Sequence, residues 1–170
     1  MGLRRGPHLR PMPTLIWSDA LALQQPQMDN THQEFVDLLA AAEAVLDAEP
    51  ATLLQRFQEL LDHTVEHFAQ EDRWMAATGF ATENCHSFQH AAVLQVMRNV
   101  VALAQTEGDF GPLKQAVAEL AQWFPGHAQM MDAGLAFHME QVGFDPVTGH
   151  TREPVAEGAI TGCGSTSCGD

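Results

Sequence analysis

Apolar residues recur three and four positions apart through most of the chain, in four runs separated by short breaks containing Gly or Pro. That spacing returns side chains to one face of a 3.6-residue turn, so each run predicts an amphipathic helix. The first run lines up Phe35, Leu38, Leu39, Ala42, Val45 and Leu46. Asp29, Asn30 and Thr31 offer N-cap side chains for it, and it is expected to end near Ala48, before Pro50. Leu21 to Met28, ahead of it, reads as an irregular stretch broken by Pro26. The second helix is expected from about Ala51 to Ala77, through Leu53, Phe57, Leu60, Leu61, Thr64, Phe68 and Met75, with Thr78-Gly79-Phe80 as its stop. The third spans about Thr82 to Thr106 through Val93, Met97, Val100 and Ala104. Pro112 suits the first turn of the fourth, whose apolar positions include Leu113, Val117, Leu120, Phe124 and Leu135. Four long helices with short connections predict an all-α fold, an antiparallel up-down-up-down four-helix bundle.

Several polar residues sit inside these apolar lines. His67 and Glu71 continue the line of the second helix, and His86 and His90 that of the third. Four residues turn about 400° and rise roughly 6 Å, so each pair projects from one face, one turn apart. Asp29-Asn-Thr-His32 lies upstream, and His127 and Asp132 lie downstream. Five imidazoles and two carboxylates therefore converge on the core from four helical segments. Burying that set without a metal would cost several kcal/mol per ion. Imidazole suits iron, zinc or copper, and a carboxylate can bridge two ions. The set is too large for a four-coordinate zinc site and suits two bridged six-coordinate ions. One difficulty stands out: His127 and Asp132 are five apart, about 140° around a regular helix. Either Asp132 reaches sideways, or the helix widens locally to i→i+5 bonding, which Pro125 could encourage by removing an N–H.

Competing motifs explain less. His63-Thr-Val-Glu66-His67 matches the H-x-x-E-H of inverted zinc peptidases, but leaves His32, His86, His90 and His127 without a role. Glu83-x-x-His86 fits the ferritin-like carboxylate motif, which requires a second copy that the chain lacks. His63 and His138 read as structural or exposed, and His8 and His150 fall in stretches expected to be disordered. Trp17, Trp74 and Trp123 read as apolar packing. Cys85 reads as a small packed residue, and Cys163 and Cys168 as free thiols.

Charge narrows the partners. A formal net charge of -14, with 22 acidic and 8 basic residues, argues against nucleic acid or an anionic membrane. No apolar run approaches membrane-spanning length. Arg4-Arg5 is not followed by the apolar stretch of an export signal, and the few cysteines form no disulfide framework; both point to the cytoplasm. Tyr is absent, so no chemistry rests on a tyrosyl radical. At 170 residues the chain suits one core. Residues 1–13 read as a flexible N-terminal arm, 14–142 as the bundle and 143–170 as a flexible Gly/Ser/Thr-rich tail.

At these residues the chain resembles the hemerythrins, specifically the single-domain bacterial ones. Their pattern is a Trp, Asp-x-x-His, His-x-x-x-Glu, His-x-x-x-His and Trp-x-x-x-His-x-x-x-x-Asp. Here it falls on Trp17, Asp29 with His32, His67 with Glu71, His86 with His90, and Trp123 with His127 and Asp132, within about residues 14–140. The resemblance implies a non-heme di-iron centre that binds O2. It implies that His86, His90 and His127 hold one iron and His32 and His67 the other, with Glu71 and Asp132 bridging beside an oxo or hydroxo group. Three imidazoles and three bridges fill six positions; two imidazoles and the same bridges leave one open, for O2 or a small anion. No substrate cleft, general base or nucleophile is legible, so an oxygen binder for storage, delivery or sensing is favoured. The alternatives are a di-iron enzyme acting on peroxide or nitric oxide, and an iron- or oxygen-responsive regulatory module. Asp72, Pro125, Gly126 and Ala128 depart from what the family usually carries.

Overall fold

A computed structural model of the chain describes residues 12–80 and 85–151. The expected start of the third helix, most of the arm and the chain beyond 151 lie outside those residues. The described residues are all-α apart from one small hairpin. Its helices are α1 (Pro26–Glu43), α2 (Pro50–Thr78), α3 (Cys85–Glu107), α4 (Gly111–His127) and α5 (Ala133–Gln141). A π-helical turn, Ala128–Asp132, joins α4 to α5, so these three form one continuous helical rod. α1 packs on α2, α2 on α3, α3 on α4 and α4 back on α1, which closes a four-helix bundle.

Helix boundaries follow the local chemistry. Pro26 does not break the chain but opens α1, because a first-turn residue has no N–H partner to lose. Gln25 caps this end by accepting from the Met28 N–H at 2.9 Å. Asp29 therefore lies inside the first turn rather than before it, and its carboxylate accepts from the Leu23 N–H at 2.7 Å. α1 also ends earlier than the apolar line suggests, at Glu43, and its last apolar residues fall in turns. α2 stops at Gly79, whose φ of 69° is the left-handed conformation that closes helices and suits glycine.

The main core fills one end of the bundle with Phe35, Leu39, Phe57, Leu60, Met97, Leu113, Leu120 and Phe124. A smaller core gathers Met28, Trp74, Met75, Leu135 and Met139 toward the other end. The buried histidines and acids lie along the same helices as both. His138 donates across the smaller core to the Thr78 carbonyl at 3.0 Å, which ties α5 to the end of α2.

The chain stays structured past the expected tail boundary at 143. β1 (Phe144–Asp145) pairs antiparallel with β2 (His150–Thr151) around a turn that includes Gly149 at φ 73°. Phe144 is buried in the smaller core. His150, placed in expected disorder, is the exposed partner of Asp145 in this hairpin. Cys85 is disulfide-bonded rather than simply a small packed residue, and Cys163 and Cys168, expected as free thiols, lie outside the described residues. Scarcity of cysteine therefore no longer speaks for a reducing compartment. No helix among the described residues is long and apolar enough to cross a membrane.

Candidate metal centre

Seven side chains meet between the helices. His32 comes from α1, His67 and Glu71 from α2, His86 and His90 from α3, His127 from the end of α4, and Asp132 from the π turn. Each is almost wholly buried. All seven candidates named from the sequence are brought together.

The π turn resolves the five-residue spacing of His127 and Asp132. Widening the helix there gives each residue less rotation than a regular turn, so both side chains face inward. Nε2 of His127 and Oδ1 of Asp132 are 3.1 Å apart.

The donor atoms fall into two unequal groups. In the larger, Nε2 of His86 lies 2.9 Å from Asp132 Oδ1 and 3.2 Å from Glu71 Oε2. Nε2 of His90 lies 3.3 Å from the same Glu71 oxygen and 3.2 Å from His127 Nε2. In the smaller, Nε2 of His67 is 3.0 Å and that of His32 3.6 Å from Glu71 Oε1. Asp132 Oδ2 approaches His32 at 3.2 Å. Each carboxylate therefore gives one oxygen to a three-imidazole group and the other to a two-imidazole group.

These separations suit cations rather than a hydrogen-bonded network. Neighbouring ligands about 2.1 Å from a common six-coordinate centre would be about 3.0 Å apart. Nε2 of His32, Oε2 of Glu71 and both oxygens of Asp132 are buried with no well-directed hydrogen bond among the described residues. Uncompensated buried acceptors are costly, and bound cations would satisfy them. Imidazole nitrogens with shared carboxylates also fit iron chemically.

Aromatic rings fix the imidazoles. Phe68 stacks on His90 with centroids 3.9 Å apart and planes 5° apart. Trp123 stacks on His127 at 4.3 Å. Phe124 meets His32 edge-on at 5.2 Å, and Phe35 meets His67 at 6.4 Å. Around the smaller group the wall is thus apolar and aromatic. Two contacts at the ring backs had no sequence signal: Gln89 Oε1 accepts from His127 Nδ1 at 3.0 Å, and Asp72 Oδ1 from His90 Nδ1 at 3.3 Å. They span 38 and 18 residues, beyond any periodicity.

The decoys do not assemble. His63 lies outside the donor groups and pairs with Glu34 at 3.2 Å, near the surface, while Glu66 is exposed. Glu83 falls outside the described residues.

Protons stand in for the cations when no metal is bound. Burial works against charge on His32, but Asp132 and Glu71 outweigh it and raise its pKa to about 9. The same balance takes His86 to about 10. Burial opposes ionisation of Glu71, yet His67, His32 and His86 pull it well below the usual carboxylate range. Burial and the Glu71 charge likewise oppose ionisation of Asp132, but His127 and His32 lower it overall. A histidine raised above its unfolded value of 6.5 contributes stability that is full below that pH and is lost as pH climbs through the folded pKa. Metal-free protein is therefore expected to melt progressively lower between about pH 7 and pH 10. Metal affinity should rise over the same window, because binding displaces these protons. Melting curves of chelator-treated protein across that range check this; a flat or rising midpoint contradicts it.

Comparison with known proteins agrees with this geometry. The hemerythrin HHE cation binding domain model matches residues 25–136. The chain is 36% identical to a bacteriohemerythrin of Ralstonia nicotianae over 134 residues, covering 79% of this chain and 95% of that protein. It is 27% identical to a bacteriohemerythrin of Pseudomonas paraeruginosa, over 72% of this chain and 80% of the relative. A myohemerythrin of Riftia pachyptila is 28% identical over 69% of this chain and 87% of its own length. No solved structure gives a significant match.

Proposed function

We propose that this chain, which belongs to the hemerythrin family, binds O2 reversibly at a non-heme di-iron centre. The observation that carries this reading is the division of Glu71 and Asp132 between two unequal imidazole groups. His86, His90 and His127 would hold one iron, and His32 and His67 the other. Glu71 and Asp132 would bridge the pair, each through both oxygens. A ferrous pair supplies the two electrons that O2 capture borrows and returns.

The remaining work belongs to the protein. The carboxylates offset the mutual repulsion of two cations held close together. Three imidazoles would saturate one ion, whereas two would leave the other able to take O2. Phe124 and Phe35 wall the side on which His32 and His67 stand. Such a wall admits small apolar O2 and disfavours water and hydroxide, which limits irreversible oxidation. Binding for storage, delivery or sensing follows from a wall of this kind.

The test is iron analysis followed by azide titration of the oxidised protein. Two irons per chain and one azide per pair are expected, with a new charge-transfer band. One metal per chain would remove the di-iron reading. Two azides per pair would remove the asymmetry.

A further inference from the structure

We propose that Asp72 is a positioning residue for His90 and sets the donor strength of that imidazole toward the metal. The inference rests on the reading of His90 as a ligand.

Phe68 and Asp72 lie one helical turn apart on α2 and bracket one ring. Phe68 covers its face at 3.9 Å, nearly parallel. Asp72 Oδ1 receives its Nδ1–H at 3.3 Å. His90 is buried, and its Nε2 is committed to the donor group beside Glu71 and His127. An imidazole carries one proton when neutral, so an acceptor at Nδ1 leaves the Nε2 lone pair for the metal. With the face and one edge both held, the ring has no freedom to turn away.

The neighbouring ring is held by the same device in neutral form. His127 Nδ1 donates to Gln89 Oε1 at 3.0 Å and its face is covered by Trp123. One imidazole of the larger group thus leans on an amide and the other on a carboxylate. A carboxylate pulls the Nδ1 proton more strongly, which enriches the opposite nitrogen. His90 is therefore the stronger donor of the two. It favours the higher oxidation state on its side of the centre.

Asp72 is half exposed, and an ordinary surface pair at that exposure would contribute little. The two readings separate in experiment. Asp72→Ala removes both acceptor and charge, and is expected to weaken iron retention against a chelator about tenfold, as loss of such outer partners typically does. Asp72→Asn keeps an acceptor oxygen, as Gln89 does for His127. It should retain iron nearly as well as the wild type while shifting the reduction potential upward and moving the charge-transfer band. Metal-free melting should fall only slightly in either variant, because a pair this exposed contributes little to the fold, whereas iron retention in Asp72→Ala falls about tenfold. Unchanged iron retention in Asp72→Ala, with a wild type that holds two irons, overturns the inference. An equal drop in metal-free melting and retention would also overturn it, by assigning Asp72 to the fold. A wild type that holds no iron pair would instead overturn the di-iron reading.

Discussion

Glu71→Ala is expected to reduce iron from two per chain to one or none, while His63→Ala leaves it at two. Glu71 lies within 3.6 Å of Nε2 on four histidines, His32, His67, His86 and His90, through its two oxygens. Its removal withdraws an anion from both halves of the site at once. The metal-free protein suffers as well, since protons on His32 and His86 lose a partner in a buried setting. Breaking such a buried pair typically costs about 3–5 kcal/mol. Asp132→Ala should behave alike, because its two oxygens face His86 and His127 on one side and His32 on the other. His63 differs in kind: its partner Glu34 is largely exposed, and exposed pairs are worth about 0–1 kcal/mol. His138→Ala separates fold from function. It loses a buried hydrogen bond to Thr78, at a cost of about 1–3 kcal/mol, and keeps its iron. Iron analysis of the four variants decides this; equal loss in all four would contradict the assignment.

Phe124→Ala should produce the largest loss of stability among core substitutions beside the site. The ring is 1% exposed, stacks on Phe35 at 4.5 Å and meets His32 edge-on at 5.2 Å. Truncating a buried Phe to Ala costs about 3–5 kcal/mol, because neighbours only partly fill the cavity. In a chain of this size that corresponds to a melting point roughly 10 °C lower. The cavity would open beside His32 on the side proposed for O2. Irreversible oxidation of the reduced protein in air should therefore accelerate, with the iron content still at two. Wild-type stability would show that Phe124 is not part of the packed wall.

Much of the bundle could be read in advance because burial leaves a periodic trace. Leu53, Phe57, Leu60 and Leu61 on α2 recur at helical intervals, and His67 and Glu71 stand where that stripe would continue. Ends were harder. Pro26 breaks a helix interior but suits a first turn, and the sequence alone does not say which position it occupies. Asp132 was ambiguous for a related reason: five residues separate it from His127 in any conformation, and only the π turn fixes which way it faces. Gln89 and Asp72 resemble ordinary helix-surface residues, and their relation to His127 and His90 depends on how helices dock. The short strands at Phe144 and His150 are too brief for alternation to register. Phe144 is buried by contacts with distant helices, which the Gly- and Thr-containing sequence around it does not announce.

The most direct measurement is an optical titration of the iron-loaded, fully reduced protein with O2, followed by removal of the gas. A visible charge-transfer band should grow to saturation at one O2 per two irons. It should vanish when O2 is withdrawn and return over repeated cycles. A band that fails to form, saturates at another ratio, or persists after O2 is removed would contradict reversible binding at a paired-iron site.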